Sequence, residues 1–292
     1  MNYYTIAGIG LATEGIENPF FEQRMREYRS KKNDSGLTIW YQQSDSIPVP
    51  EGERIATEGE RSWILTSDGG YGFYDFVPEA GCIAAIRMDR KYRDVSAVLR
   101  DVSKIGGADE AMRSFNMVGE VFRYHILQHD GIVLHSSSLA YRNQGILFSA
   151  PSGTGKSTHT GLWKKYLGDA VTIINDDSPA VRFFDGRPYL CGTPWSGKTD
   201  INTNLQVPLR AVVFLQRGNE NRLFGLEPKA AFFQLLTQVM RPVYPELMDL
   251  TMQHLQALIA CVPVFCLQCT ISREAVMLSK SILDKGEVSR NG

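Results

Sequence analysis

The run Ala150-Pro-Ser-Gly-Thr-Gly-Lys-Ser157 sets two glycines, a lysine and a serine at a spacing suited to an anionic ligand. Glycines at 153 and 155 let the backbone curl so that its N–H groups converge. A helix starting near Lys156 adds the positive end of its dipole to the same spot. In this pattern Ser152, Gly153, Thr154, Gly155, Lys156, Ser157 and Thr158 form a triphosphate cradle. Lys156 reaches the β and γ phosphates, and Ser157 offers its hydroxyl to Mg2+. Ala150 stands at the first glycine position of the G-x-x-x-x-G-K-[ST] pattern, a turn that alanine fits at negative φ.

A second chemical group follows. Val171-Thr-Ile-Ile-Asn-Asp-Asp177 is an apolar, β-branched strand ending in paired carboxylates. Ligands of α/β sheets sit at the carboxyl ends of strands, so the tips of strands 146–150 and 171–175 are expected side by side, with Asp176 and Asp177 facing the phosphates. Neighbouring strand residues point to opposite sides. One aspartate can therefore hold magnesium while the other takes the proton of an attacking hydroxyl.

These groups need a strand, a turn and a helix to hold them. Gly131 to Tyr141 and the strand at 146 flank Arg142-Asn-Gln-Gly145, a hairpin that feeds the glycine run, with His135 in its first strand. Ser157 to Tyr166 reads as the helix after the loop, ended by Gly168.

The segment Gly131 to Asp177 resembles the catalytic domain of HPr kinase/phosphorylase, which is grouped with ATP-dependent phosphoenolpyruvate carboxykinases. The resemblance rests on Gly-Ile-Val-Leu-His135, the hairpin, Ser-Gly-Thr-Gly-Lys-Ser157 and Asn-Asp-Asp177. It implies an α/β P-loop kinase domain with a smaller N-terminal α+β domain. It carries Lys156 to the phosphates of ATP, Ser157 and Asp177 to Mg2+, Asp176 to general base, and His135 to a place beside that base. The Glu- and Arg-rich segment that precedes a mobile loop in that family is missing here. Lasso-peptide kinases, which look like shortened relatives of that family, phosphorylate a serine of a precursor peptide, so the resemblance implies a peptide or protein serine as acceptor.

After the aspartates, Val181 to Cys191 reads as a hairpin with an Asp-Gly turn. Gly192-Thr-Pro-Trp-Ser-Gly-Lys-Thr199 then reads as a loop, with Lys198 a candidate cation over the transferring phosphate and Trp195 suited to stacking on a base or, as the expected role, to packing in the core. Ala211 to Gln216 reads as a strand, and Pro228 to Met240 and Pro245 to Ala260 as helices. Arg210, Arg217 and Arg222 are candidates for nucleotide or acceptor contacts, with surface solvation the expected reading of each.

Residues 1–105 read as a separate, mostly antiparallel α+β domain, assigned to acceptor recognition or homo-oligomer formation. Its strands fall at Tyr3 to Leu11, Thr38 to Gln42, Ser62 to Leu65, Gly72 to Phe76 and Cys82 to Met88. A helix covers Phe20 to Tyr28, and a loop covers Ser44 to Arg61. Residues 106–292 read as the catalytic domain, opening with a hinge at Gly106-Gly107 and a helix from Ala108 to Gln128.

The 292-residue chain is 43% hydrophobic and 22% charged with net charge −1, ordinary globular usage that gives no electrostatic case for nucleic acid or an anionic membrane. It opens without a basic, then apolar, leader and has no apolar run of the ~20 residues that span a bilayer, so a cytoplasmic location is expected. Cys261, Cys266 and Cys269 invite a check for a metal site, but Cys266 and Cys269 on one strand face opposite ways and cannot share a metal, so the five cysteines are expected as buried, reduced thiols. Three functions remain open: an ATP-dependent hydroxyl kinase, carboxykinase-like or other small-molecule phosphotransfer, and a non-enzymatic ATP-binding switch.

Overall fold

The computed structural model describes residues 1–32, 36–103 and 109–288. The expected Gly106-Gly107 hinge lies outside the described residues. The protein is mixed α/β with two large sheets, and its chain divides into two compact units. The first is 1–128 with 242–248, and the second is 129–241 with 249–292.

The first unit is built on an eight-stranded sheet. Its strands are β1 (Asn2–Ile6), β2 (Ile9–Glu14), β3 (Leu37–Gln43), β4 (Glu53–Glu58), β5 (Arg61–Leu65), β6 (Tyr71–Val77), β7 (Gly81–Met88) and β8 (Asp94–Leu99), in the order β1-β2-β3-β8-β7-β6-β5-β4. All pairs are antiparallel except β2–β3 and β3–β8. Ala7 and Gly8 take positive φ and break the expected 3–11 strand into a hairpin. Helix α1 (Pro19–Met25) starts at Asn18, whose side chain accepts from Phe21 N at 2.7 Å.

Two expectations change here. Strand β4 occupies part of the expected 44–61 loop, because Arg54 to Glu58 pair with β5 although their side chains are mostly exposed. Helix α2 (Glu110–Leu127), expected to open the catalytic half, belongs to the first unit. Its Glu120 meets Arg61 at 2.5 Å, and Arg61 also meets Asp75 at 2.7 Å.

The second unit carries β9 (Gly131–Val133), β10 (Ser136–Tyr141), β11 (Gln144–Ser149), α3 (Lys156–Leu167), β12 (Val171–Asn175), β13 (Ala180–Phe184), β14 (Arg187–Cys191), β15 (Gln206–Arg217), β16 (Arg222–Gly225), α4 (Pro228–Leu236), α5 (Pro245–Cys261), β17 (Val264–Cys269) and α6 (Arg273–Val288). The start of α5 groups with the first unit. The sheet runs β12-β10-β11-β15-β14-β13-β9, and β17 pairs β15 and β16. Long β15 joins two ladders: its start pairs antiparallel with β14, and its remainder runs parallel to β11 and β17.

The strand expected over 131–141 is two strands. β9 pairs β13, whereas β10 pairs β11 and β12, and the chain changes partners at Leu134-His135. Leu139, Ile146, Phe148, Val171, Ala211, Val213, Leu215 and Leu267 face one side of the sheet and pack with Trp163 of α3 and Val276 and Leu283 of α6. That alternation is what a half-covered sheet requires. No helix among the described residues is long and apolar enough to cross a membrane.

Candidate functional site

Strand register gathers the site. β11 and β15 run parallel with Ser149 opposite Phe214, so both deliver their carboxyl ends to one edge, where Ala150 to Gly155 form the glycine loop. β10 runs the other way with Ser136 opposite Ser149, which brings His135 beside the loop's first residue. β10 also pairs β12, with Ser138 opposite Asn175, and this brings Asp176 and Asp177 to the same edge. The tips of β11 and β12 are thus not side by side: β10 lies between them. An irregularity in the ladder between Ser138 and Leu139 accompanies the turn of β12 into the aspartates.

The loop has the conformation its glycines permit. Gly153 and Gly155 have φ of 76° and 118°, and α3 begins at Lys156 with Gly155 as its N-cap. A Cβ at Gly153 would meet nothing within 4 Å, so the loop borders open space. Ser152, Gly153, Ser157 and Thr158 are exposed, and Thr154 and Gly155 half-buried.

Lys156 is the buried member of the loop. Its Nζ donates to the Ala150 carbonyl at 2.9 Å and to His135 Nε2 at 3.0 Å. Burial lowers the Lys156 pKa, and Asp177 and Asp176 act against that shift. His135 Nδ1 lies 3.3 Å from Asp177 Oδ1. An ammonium has no acceptor, so Nε2 accepts from Lys156 and the ring proton sits on Nδ1, facing the carboxylate. Lysine, imidazole and carboxylate therefore form one polar chain.

The two aspartates differ. Asp177 is half-buried and accepts from Ser178 Oγ at 2.8 Å. Asp176 is buried and accepts from Ser137 Oγ at 2.7 Å; Ser137 Oγ lies 2.9 Å from Thr160 Oγ1, one turn into α3. Thr160 in turn donates to the Ser157 carbonyl at 3.2 Å. Asp176 is thus wired to the first turn of α3, and Asp177 to His135 and Lys156.

Asn175, fully buried, holds the tip in shape. Its Oδ1 accepts from Asp177 N (2.8 Å) and Ser178 N (2.7 Å), and its Nδ2 donates to the Thr193 carbonyl (2.8 Å) and the Trp195 carbonyl (3.3 Å). The 192–198 loop is fastened to the aspartates in this way. Gly197 (φ 65°) sits so close that a Cβ there would lie 3.1 Å from Asp177 Cβ. Lys198, the next residue, is exposed on the turn 197–200, and Trp195 is buried as a packing residue.

Sequence reasoning missed Ser137, Asn175 and Thr160. A triple serine opening an apolar strand is the signal for the first. Arg217 is exposed as expected, and it also donates through Nη2 to the Gly153 carbonyl and through Nε to the Thr154 carbonyl (3.3 Å). Arg222 is exposed and paired with Glu220 at 2.7 Å.

Two crevices flank the loop. One, about 520 Å³, is lined by Pro151 to Thr154, Phe214 and the end of α4 with Gln234, Thr237 and Gln238. The other, about 510 Å³, lies on the α3 face between His159, Leu162, Leu215, Cys269 and Ile271. Among the described residues no cluster of three His, Cys, Asp or Glu side chains forms a protein-only metal cage. Magnesium is commonly held by one or two carboxylates together with substrate phosphates, and a serine hydroxyl with a carboxylate tip fits that chemistry.

No family model and no curated protein matches the chain. Among solved structures it is similar to the HPr(Ser) kinase/phosphatase from Coxiella burnetii, with 9% identity, a TM-score of 0.33, and coverage of 55% of this chain and 99% of that chain. The likeness is a remote structural similarity to a kinase/phosphatase.

Proposed function

We propose that the protein is a kinase that transfers the γ-phosphate of ATP to a hydroxyl, the serine of a peptide or protein. The observation that carries this reading is the chain Lys156–His135–Asp177 beside a glycine loop at a helix N-terminus. A passive nucleotide binder requires the loop and the lysine but not a carboxylate poised through an imidazole.

In this reading the triphosphate lies along the loop, with Gly153, Gly155 and the N-terminus of α3 supplying N–H donors. The base enters the crevice walled by Leu162, Leu215 and Ile271, and the acceptor approaches the exposed side of Asp177. Lys156 leaves His135 for the β and γ phosphates, where its charge offsets that developing in the transition state. Asp177, half-exposed and backed by His135, takes the proton of the attacking hydroxyl. Asp176, buried and tied to α3 through Ser137 and Thr160, serves with Ser157 on the metal side. These roles reverse the sequence expectation for the two aspartates, because the base must reach a hydroxyl arriving from solvent. Mg2+, when bound, neutralises phosphate charge. Lys198 on its exposed turn is available to close over the transferring group.

The test is incubation with γ-labelled ATP and a serine peptide library, with phosphate located by mass spectrometry and Lys156→Ala as control. Serine phosphorylation lost in the variant supports the reading. A wild-type protein that binds ATP yet labels no hydroxyl overturns it.

A further inference from the structure

Arg217 lies on the rim of the glycine loop, and strand register explains its position. β15 runs parallel to β11 with Phe214 opposite Ser149, so residue 217, three further on, falls level with the loop that follows β11. Its Nε and Nη2, one edge of the guanidinium, are used on two successive carbonyls, Thr154 O and Gly153 O. Arg217 also lines both crevices beside the loop.

A trans peptide is planar, with C=O and N–H pointing opposite ways. Fixing the Thr154 carbonyl outward therefore turns the Gly155 N–H inward, toward the concave side of the loop. Fixing the Gly153 carbonyl turns the Thr154 N–H inward as well, where it donates to the Pro151 carbonyl at 3.2 Å and closes the turn. Gly153 and Gly155, both at positive φ, are free to rotate these peptides the other way, because glycine has no Cβ to resist. The Thr154 N–H bond to Pro151 holds the first peptide from within the loop, and Arg217 fastens both peptides from outside it.

We infer that Arg217 is a positioning residue, one that sets the two peptide planes of the glycine loop so that the cradle is formed before a polyphosphate arrives. This inference rests on the proposed nucleotide site but not on phosphoryl transfer. Arginine suits the task where lysine does not, since its rigid fork holds two acceptors at once. Beyond the used edge, the guanidinium keeps a second, end-on edge turned away from the carbonyls.

Titration calorimetry of the full chain with pyrophosphate and with MgATP tests this, comparing wild type, Arg217→Gln, Arg217→Lys and Arg217→Ala. Arg217→Gln is expected to weaken both ligands by at least tenfold, Arg217→Lys to recover only part of that loss, and millimolar methylguanidine to restore binding in Arg217→Ala. Rescue by the free guanidinium ties the loss to this group at the loop rather than to misfolding of the chain. Unchanged affinity in Arg217→Gln with a binding wild type overturns the inference and leaves the kinase reading standing. Wild type that binds pyrophosphate but phosphorylates no hydroxyl removes the kinase reading and leaves Arg217 in its role, whereas wild type that binds neither ligand overturns both.

Discussion

Lys156 Nζ sits 3.0 Å from His135 Nε2, and His135 is joined through its other nitrogen to Asp177. The lysine is thus held by a neutral imidazole rather than by a carboxylate, an arrangement that keeps the cation in place without neutralising it. Replacing His135 by Ala should leave nucleotide affinity within a few-fold of wild type and lower kcat by roughly 10²-fold, the scale of lost general-base assistance. Steady-state kinetics beside calorimetric affinities separate the two quantities. A kcat unchanged in the variant would remove His135 from the chemistry.

The aspartate next to that imidazole gives a second prediction, read through pH. Burial lowers the Lys156 pKa below its ordinary 10.5, while Asp177 and Asp176 raise it. Nucleotide binding needs the protonated lysine, so affinity is full at lower pH and falls as pH rises through that lowered pKa. Asp177→Asn removes a group that raises the pKa, so the alkaline limb should move to lower pH while turnover falls by about 10²–10⁴-fold. Affinity measured from pH 7 to 10 in both proteins is the check. A limb that moves upward contradicts the arrangement.

Asn175 is a residue whose removal should be felt in fold and function together. Its fully buried side chain serves the N–H groups of half-buried Asp177 and buried Ser178 and the carbonyls of buried Thr193 and Trp195. Asn175→Ala leaves these groups without their partner, a loss of roughly 2–4 kcal/mol for buried polar atoms. Urea unfolding should register that loss, and activity should fall because the aspartate tip is no longer fixed. Asn175→Asp keeps an acceptor for the two N–H groups but turns a second acceptor toward the Thr193 and Trp195 carbonyls and buries a charge, so it should not restore the stability.

How much of this was legible in the residues follows from the range of the interactions. The glycine loop, α3, the Asp-Gly hairpin and the carboxylate tip are local features, and glycine placement with β-branched runs encodes them directly. Strand order is not local. That β10 separates β11 from β12 depends on which edges pair, and no residue near 171 announces it. Arg217 reaches the loop only because β15 and β11 are parallel in one register, a relation between segments about 60 residues apart in sequence. Residues 242–248 join the first unit for a similar reason: Tyr244, fully buried, donates to the Gly72 carbonyl at 2.8 Å, and Glu246 accepts from the Tyr92 hydroxyl at 2.8 Å. Such pairings leave no periodicity to read.

Gly197 offers a sharper probe of the loop beside the aspartates. Its φ of 65° is disfavoured for other residues by about 1 kcal/mol, and an added methyl would lie 3.1 Å from Asp177 Cβ. Gly197→Ala should therefore shift Asp177 by a few tenths of an ångström and lower kcat by more than its small loss of stability explains. Wild-type kcat in a folded Gly197→Ala protein would show that this approach is irrelevant to turnover.

The last prediction concerns α3, which carries the loop. His159 is buried on it between Phe148, Trp163 and Ser279, and its Nε2 accepts from the Trp163 indole N–H at 3.3 Å. Ser279 Oγ lies 3.2 Å from both His159 Nε2 and Trp163 Nε1, and burial of the ring among these groups favours the neutral imidazole, whose Nε2 can accept from the indole. Burial alone pushes the His159 pKa from 6.5 down to about 4. The sign follows: between pH 6.5 and about 4 the unfolded chain binds the proton that the folded chain refuses, so stability is intact above pH 6.5 and declines as pH falls across that window. By pH 5 the decline from this residue should reach about 2 kcal/mol. His159→Gln, which keeps an acceptor for the indole but does not titrate, should flatten the fall in unfolding free energy between pH 7.5 and pH 5 by that amount. Parallel pH slopes in the two proteins would mean that His159 accepts a proton in the folded state, and the hydrogen bond from Trp163 would then have to be discarded.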